Sequence, residues 1–86
     1  MQKKIIDIIY QDFPEEKRGT VIECLSTIDL THVMAESEYN LENTLLSILY
    51  LAKGNVDEVI QLTEAAKKDF RDVIYWATLE RSRTGV

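Results

Sequence analysis

Residues 45–52 read Leu-Leu-Ser-Ile-Leu-Tyr-Leu-Ala and are followed by Lys53 and Gly54. These are good helix formers with a glycine stop behind them. A helix turns about 100° per residue, so the unbroken apolar run over residues 48–52 circles the axis. Such a helix has to be covered on most sides, and in a chain of 86 residues only other helices can supply the cover. The chain is therefore expected to be all-α: a small bundle of four main helices, with a fifth short one, around a central helix at residues 40–53.

The flanking segments support that expectation. A first helix is expected over residues 2–11, with Ile5, Ile8, Ile9 and the following Asp12 on or next to one stripe and Ile6 and Tyr10 beside it, and Phe13-Pro14 ends it. Asp12 and Glu15 have capping-box spacing, which predicts a second helix over 14–28 burying Val21, Ile22, Leu25 and Ile28. Gly19 lies inside it, either for close approach of the first helix or merely tolerated. Thr31 is a candidate cap for a short helix at 31–36, with a turn near 37–39 and Ser37 or Asn40 capping the central helix. Positions 30, 34, 37, 41, 45, 48 and 52 nonetheless fit one uninterrupted face, which leaves a single longer helix as the other reading.

Beyond Gly54, Asn55 and Glu58 form an N-cap pair that folds the next helix back antiparallel on the central one. Val56, Ile60, Thr63, Ala66, Phe70, Val73, Ile74 and Ala77 keep helical step, so one long helix is expected over 56–80. A bend is foreseen near Lys68-Asp69, where Asp69 has the chemistry of a fresh N-cap. Residues 82–86 are polar and expected to fray; the whole chain, 1–86, is read as one domain.

With 45% hydrophobic and 29% charged residues the composition is that of a folded helical protein. The net charge is −5, and between Arg18 and Lys53 no Lys or Arg occurs while Glu23, Asp29, Glu36, Glu38 and Glu42 do. That sign argues against a nucleic-acid backbone and in favour of a basic protein partner. The longest uncharged stretch, residues 43–52, is about half a membrane span. Lys3-Lys4 before Ile5-Ile6 imitates a signal peptide, but Asp7 interrupts it. A single cysteine, Cys24, allows no internal disulfide, and with His32 as the only histidine no zinc spacing exists. We expect a cytoplasmic protein with no cofactor and no membrane partner.

Chemistry-bearing clusters are few. His32 and Glu36, four apart, could offer two ligands to a metal but equally suit a capping pair. Asp69, Arg71 and Asp72 crowd around Phe70; the spacing of Glu64 with Lys68 and of Lys68 with Asp72 predicts helix ion pairs. Val73-Ile74-Tyr75-Trp76-Ala77 sweeps too far around a helix for all its bulky members to face one core. Either the first helix covers Tyr75 and Trp76, or they anchor a protein interface.

The segment Ala65-Ala66-Lys67-Lys68-Asp69-Phe70-Arg71-Asp72-Val73-Ile74, after the leucine-rich run that ends at Gly54, resembles a pattern in small bacterial all-helical proteins of unknown activity. The resemblance spans residues 41–77 and implies the fold alone; Tyr75-Trp76-Ala77 is bulkier than that pattern. The expected function is a non-enzymatic protein-interaction module of the immunity, inhibitor or accessory-subunit type. It would self-associate as a homodimer through Tyr75 and Trp76 and present Glu36, Glu38 and Glu42 to a basic partner. The alternative is a small ligand-binding or enzymatic bundle that uses Asp69, Asp72 and Tyr75.

Overall fold

Side-chain oxygens of Ser37, Asn55 and Asp69 set the starts of the last three α-helices. A computed structural model of the chain describes residues 1–83, which form five α-helices and two 3₁₀ turns with no strand among the described residues. α1 is Lys3–Asp12 and α2 is Glu15–Ser26. The 3₁₀ turns are Leu30–His32 and Met34–Glu36; α3 is Glu38–Ala52, α4 Val56–Lys68 and α5 Phe70–Arg83. Of the tail expected to fray, Ser82 and Arg83 are helical, and residues 84–86 lie outside the described residues.

α3 begins where Ser37 accepts the N–H of Asn40 at 3.2 Å, which makes Ser37 the cap and starts the central helix two residues earlier than expected. It ends at Lys53, whose left-handed backbone (φ 49°) is followed by Gly54 at φ 82°. Asn55 then accepts the N–H of Glu58 at 3.1 Å and starts α4 directly, as the cap pair predicted.

Three expectations give way. Asp12 stays inside α1 and caps nothing: Pro14 occupies the N-cap position of α2 with no side-chain hydrogen bond. The α1–α2 corner is held instead by Arg18, which donates Nε to the Phe13 carbonyl and Nη2 to that of Tyr10, both at 3.0 Å, with its guanidinium 4.4 Å from the centre of the Tyr10 ring. The short helix at 31–36 is two 3₁₀ turns, and its cap is Asp29, not Thr31. The long last helix is two helices: Asp69 is extended (φ −157°, ψ 101°) and separates α4 from α5.

α3 packs against α1, α4, α5 and both 3₁₀ turns, and α2 lies against α1 and α4. Leu45, Ile48, Leu49 and Ala52 are buried, with Leu46 and Leu51 half-buried against the same core. The facing residues are Ile5 and Ile9 of α1, Val59, Leu62 and Ala66 of α4, and Val73 of α5. Val21, Leu25 and Ile28 are buried as expected. Ile60 is exposed; α4 is rotated so that Val59 and Leu62 enter the core in its place.

α1, α3 and α5 run in the same sense. Lys4 at the start of α1 pairs with Glu42, while Asp12 at its end lies against Gly54. Near the C-terminal ends of α3 and α5, Lys53 Nζ meets Glu80 at 2.7 Å and Arg81 stacks on the Tyr50 ring at 4.6 Å.

Gly54, in the turn after α3, and Gly19, inside α2, should respond oppositely to alanine. At Gly54 the backbone is left-handed and a Cβ would sit 2.9 Å from the Asp12 carbonyl oxygen, so Gly54→Ala is expected to lower stability by about 1–2 kcal/mol or more. At Gly19 nothing lies within 4 Å of the added carbon, so Gly19→Ala should raise stability by about 0.5–1 kcal/mol. Urea unfolding of the two variants checks both signs.

Candidate functional site: the outer face of α5

α5 is positioned at both ends by charge. At its start Asp69 Oδ1 accepts the Arg71 backbone N–H at 3.1 Å, and the Arg71 guanidinium returns to the same carboxylate through Nε and Nη2, both at 3.0 Å. Break and cap therefore come from one residue, and they explain why the Lys68–Asp72 pair does not form across it. Glu64 pairs with Lys67 at 3.1 Å, not with Lys68. Toward its end, Glu80 accepts from Lys53 and from Arg83, whose Nε and Nη2 lie 3.0 and 2.6 Å from Oε1.

Between those anchors Phe70, Val73 and Ala77 face the core, with Ile74 half-buried. The opposite side carries Tyr75, Trp76 and Leu79, which keep 60%, 42% and 48% of their surface open. The first helix does not cover them; it lies on α2 and α3. The exposed large apolar side chains elsewhere are Met1, Tyr10, Met34, Tyr39 and Ile60, and Tyr10 among them is stacked under Arg18. Three within five residues on one helix face make a patch, and patches of this kind mark interfaces.

Leu79 and Arg83 are absent from the sequence-derived site. Asp72, Trp76, Leu79 and Arg83 are spaced four, three and four apart, which is the spacing of a helix-pairing seam. That periodicity was available in the sequence and is obscured there by the bulk of Tyr75 next to it.

The three acidic residues are not equivalent. Glu36 lies in the second 3₁₀ turn with a left-handed backbone (φ 48°), and it and Glu38 are exposed. Glu42, one turn along α3, is half-buried and ion-paired with Lys4, so its charge is answered inside the molecule. Glu38 and Glu42 line an open cleft of about 390 Å³ with Met1, Ile5 and Leu41; Glu36 is not among its lining residues.

Asp69, Asp72 and Tyr75 do not converge on a cleft. A shallow depression over Asp69 and Arg71 is lined on its other side by Thr31, His32, Val33 and Met34, and neither Asp72 nor Tyr75 lines it. His32 Nδ1 accepts the Asp29 N–H at 3.1 Å, completing a capping box. Among the described residues no three His, Cys, Asp or Glu side chains are grouped to hold a metal ion, and Cys24 is free and half-buried beside the core. No helix of the described residues is long and apolar enough to cross a membrane.

Comparison with protein-family models, curated proteins and solved structures finds no match to this chain.

The ion pairs at the two ends of α5 also predict an acid response. Hydrogen bonds from Arg71 hold the Asp69 carboxyl below its ordinary range, and those from Lys53 and then Arg83 do the same for Glu80. A carboxyl whose folded pKa is depressed contributes its full stability above the ordinary value of about 4, and loses it as pH falls through the folded value. The urea midpoint should therefore drop between pH 7 and pH 3, and drop by less in Glu80→Gln; an equal drop in both would contradict the role given to Glu80.

Proposed function

We propose that the chain is a non-enzymatic protein-interaction module that docks through the outer face of α5. The observation that carries this is the grouping of Tyr75, Trp76 and Leu79 on a helix whose other side is committed to the core. Aromatic side chains bring large contact area at little entropic cost, and they are the residues that dominate protein interfaces. The ion pairs at Asp69 and Glu80 support the reading, because a helix fixed at both ends presents its outer side chains with little ordering left to do on binding.

Glu36 and Glu38 add a negative edge suited to a basic partner, with Glu42 contributing less because Lys4 already faces it. An immunity or inhibitor protein or an accessory subunit would have these features, and the free thiol of Cys24 suits a reducing, cytoplasmic setting.

A photo-crosslinking side chain in place of Tyr75 tests the docking role. In cells expressing the protein, position 75 should give discrete protein adducts that disappear when Trp76→Asp is added, whereas the same probe at exposed Thr20 on α2 gives none. Absence of adducts from position 75, or the same set from both positions, would overturn it.

A further inference from the structure

We infer that the occupant of the α5 face is a second copy of this chain, laid antiparallel across a two-fold axis at the height of Ala77 and Thr78. The inference rests on the docking role proposed above for α5, and names its partner.

Asp72, Trp76, Leu79 and Arg83 form one outward seam, apolar in the middle, acidic at one end and basic at the other. In an antiparallel pair centred between residues 77 and 78, Trp76 lies opposite Leu79 of the second copy, and Asp72 lies opposite Arg83. Each of these two contacts is then made twice by symmetry, as an isologous interface requires. A parallel pair would set Asp72 against Asp72 and Arg83 against Arg83, so the signs select the antiparallel arrangement.

The charges at the two ends are available for this. Asp72 is exposed; Arg71 beside it, which it also attracts, is hydrogen-bonded to Asp69, and Lys68, across the helix break, belongs to α4. Glu80 is one carboxylate shared by two cations, Lys53 and Arg83, so that among the described residues this cluster holds two positive charges against one negative. The complementarity matters because the chain carries −5 overall, so two copies repel unless local charges oppose that repulsion. A seam of two to three helical turns falls at or below the small end of stable interfaces, about 1,200 Å² in total, so association at micromolar to sub-millimolar concentration is expected.

Sedimentation equilibrium from about 10 µM to 1 mM, at low salt, tests the arrangement. The chain should show a reversible dimer, Asp72→Arg should weaken it by about tenfold by opposing Arg to Arg at both ends, and adding Arg83→Asp should restore it. Circular dichroism melts of dilute samples check that the variants stay folded. Because Arg83 also holds Glu80, Leu79→Lys serves as a second variant, expected to abolish the dimer without touching that pair.

A dimer that Asp72→Arg does not weaken, or that the double variant does not restore, overturns the antiparallel seam. A monomer throughout overturns the second copy as occupant. If position 75 still cross-links to other proteins in that case, the docking role of α5 stands; if it does not, both fail.

Discussion

The fold depends on covering a helix that has no polar side. From Leu45 onward α3 has apolar residues around nearly its whole circumference, and water contact along any flank there costs about 25 cal/mol for each Å² of apolar surface left open. Three helices are needed to close it, and α1, α4 and α5 are the three that do. The sharp turn at Lys53, Gly54 and Asn55 lays α4 along it at once, and the break at Asp69 returns the chain so that α5 can lie on α3 as well. An unbroken helix from 56 to 80 would have carried Phe70, Val73 and Ala77 past the end of the bundle and left α3 open there.

The same geometry leaves α5 two-sided. One face supplies Val73 and Ala77 to the core, and no other helix crosses the opposite one among the described residues. Tyr75, Trp76 and Leu79 are therefore surplus to the monomer. Salt bridges at exposed positions add little to stability on their own, but those of Asp69 with Arg71 and of Glu80 with Lys53 and Arg83 do fix the orientation in which that surplus is shown. The outer face has an apolar centre and opposite charge at its two ends, and this asymmetry is the ground on which a second copy, and not an unrelated partner, is proposed.

Much of this was legible in the sequence, and what was legible is local. The apolar run at 45–52 implied the central helix because no other structure buries such a run in a short chain. Asn55 and Gly54 marked their boundaries, and Ser37 was one of two candidate caps for α3, because capping and left-handed turns depend on neighbouring atoms only. Asp69 was readable as a cap, though not as a full break, since a continuous stripe of apolar residues on both sides of it argued for a single helix. What was not legible was set across the molecule. α4 has Val56, Val59, Ile60 and Leu62 within two turns, and its rotation, which leaves Ile60 outside, is chosen by α2 and α3 lying on either side. Arg18 closes the α1–α2 corner through two backbone carbonyls, a role that no side-chain spacing announces. Whether the first helix would lie over Tyr75 and Trp76 depended on which helices neighbour it, and it neighbours α2 and α3. Glu42 looked like part of an acidic surface until the fold brought Lys4 to it from 38 positions away in sequence.

Trp76 is the only tryptophan in the chain and stands at the centre of the proposed seam. Its fluorescence, followed with an added quencher such as acrylamide while the protein is concentrated from about 1 µM to 1 mM, tests most directly whether a second copy covers that face. Emission that moves to shorter wavelength and loses its accessibility to the quencher as concentration rises is the predicted result. Emission of a water-exposed indole, equally quenched over the whole range, would contradict it.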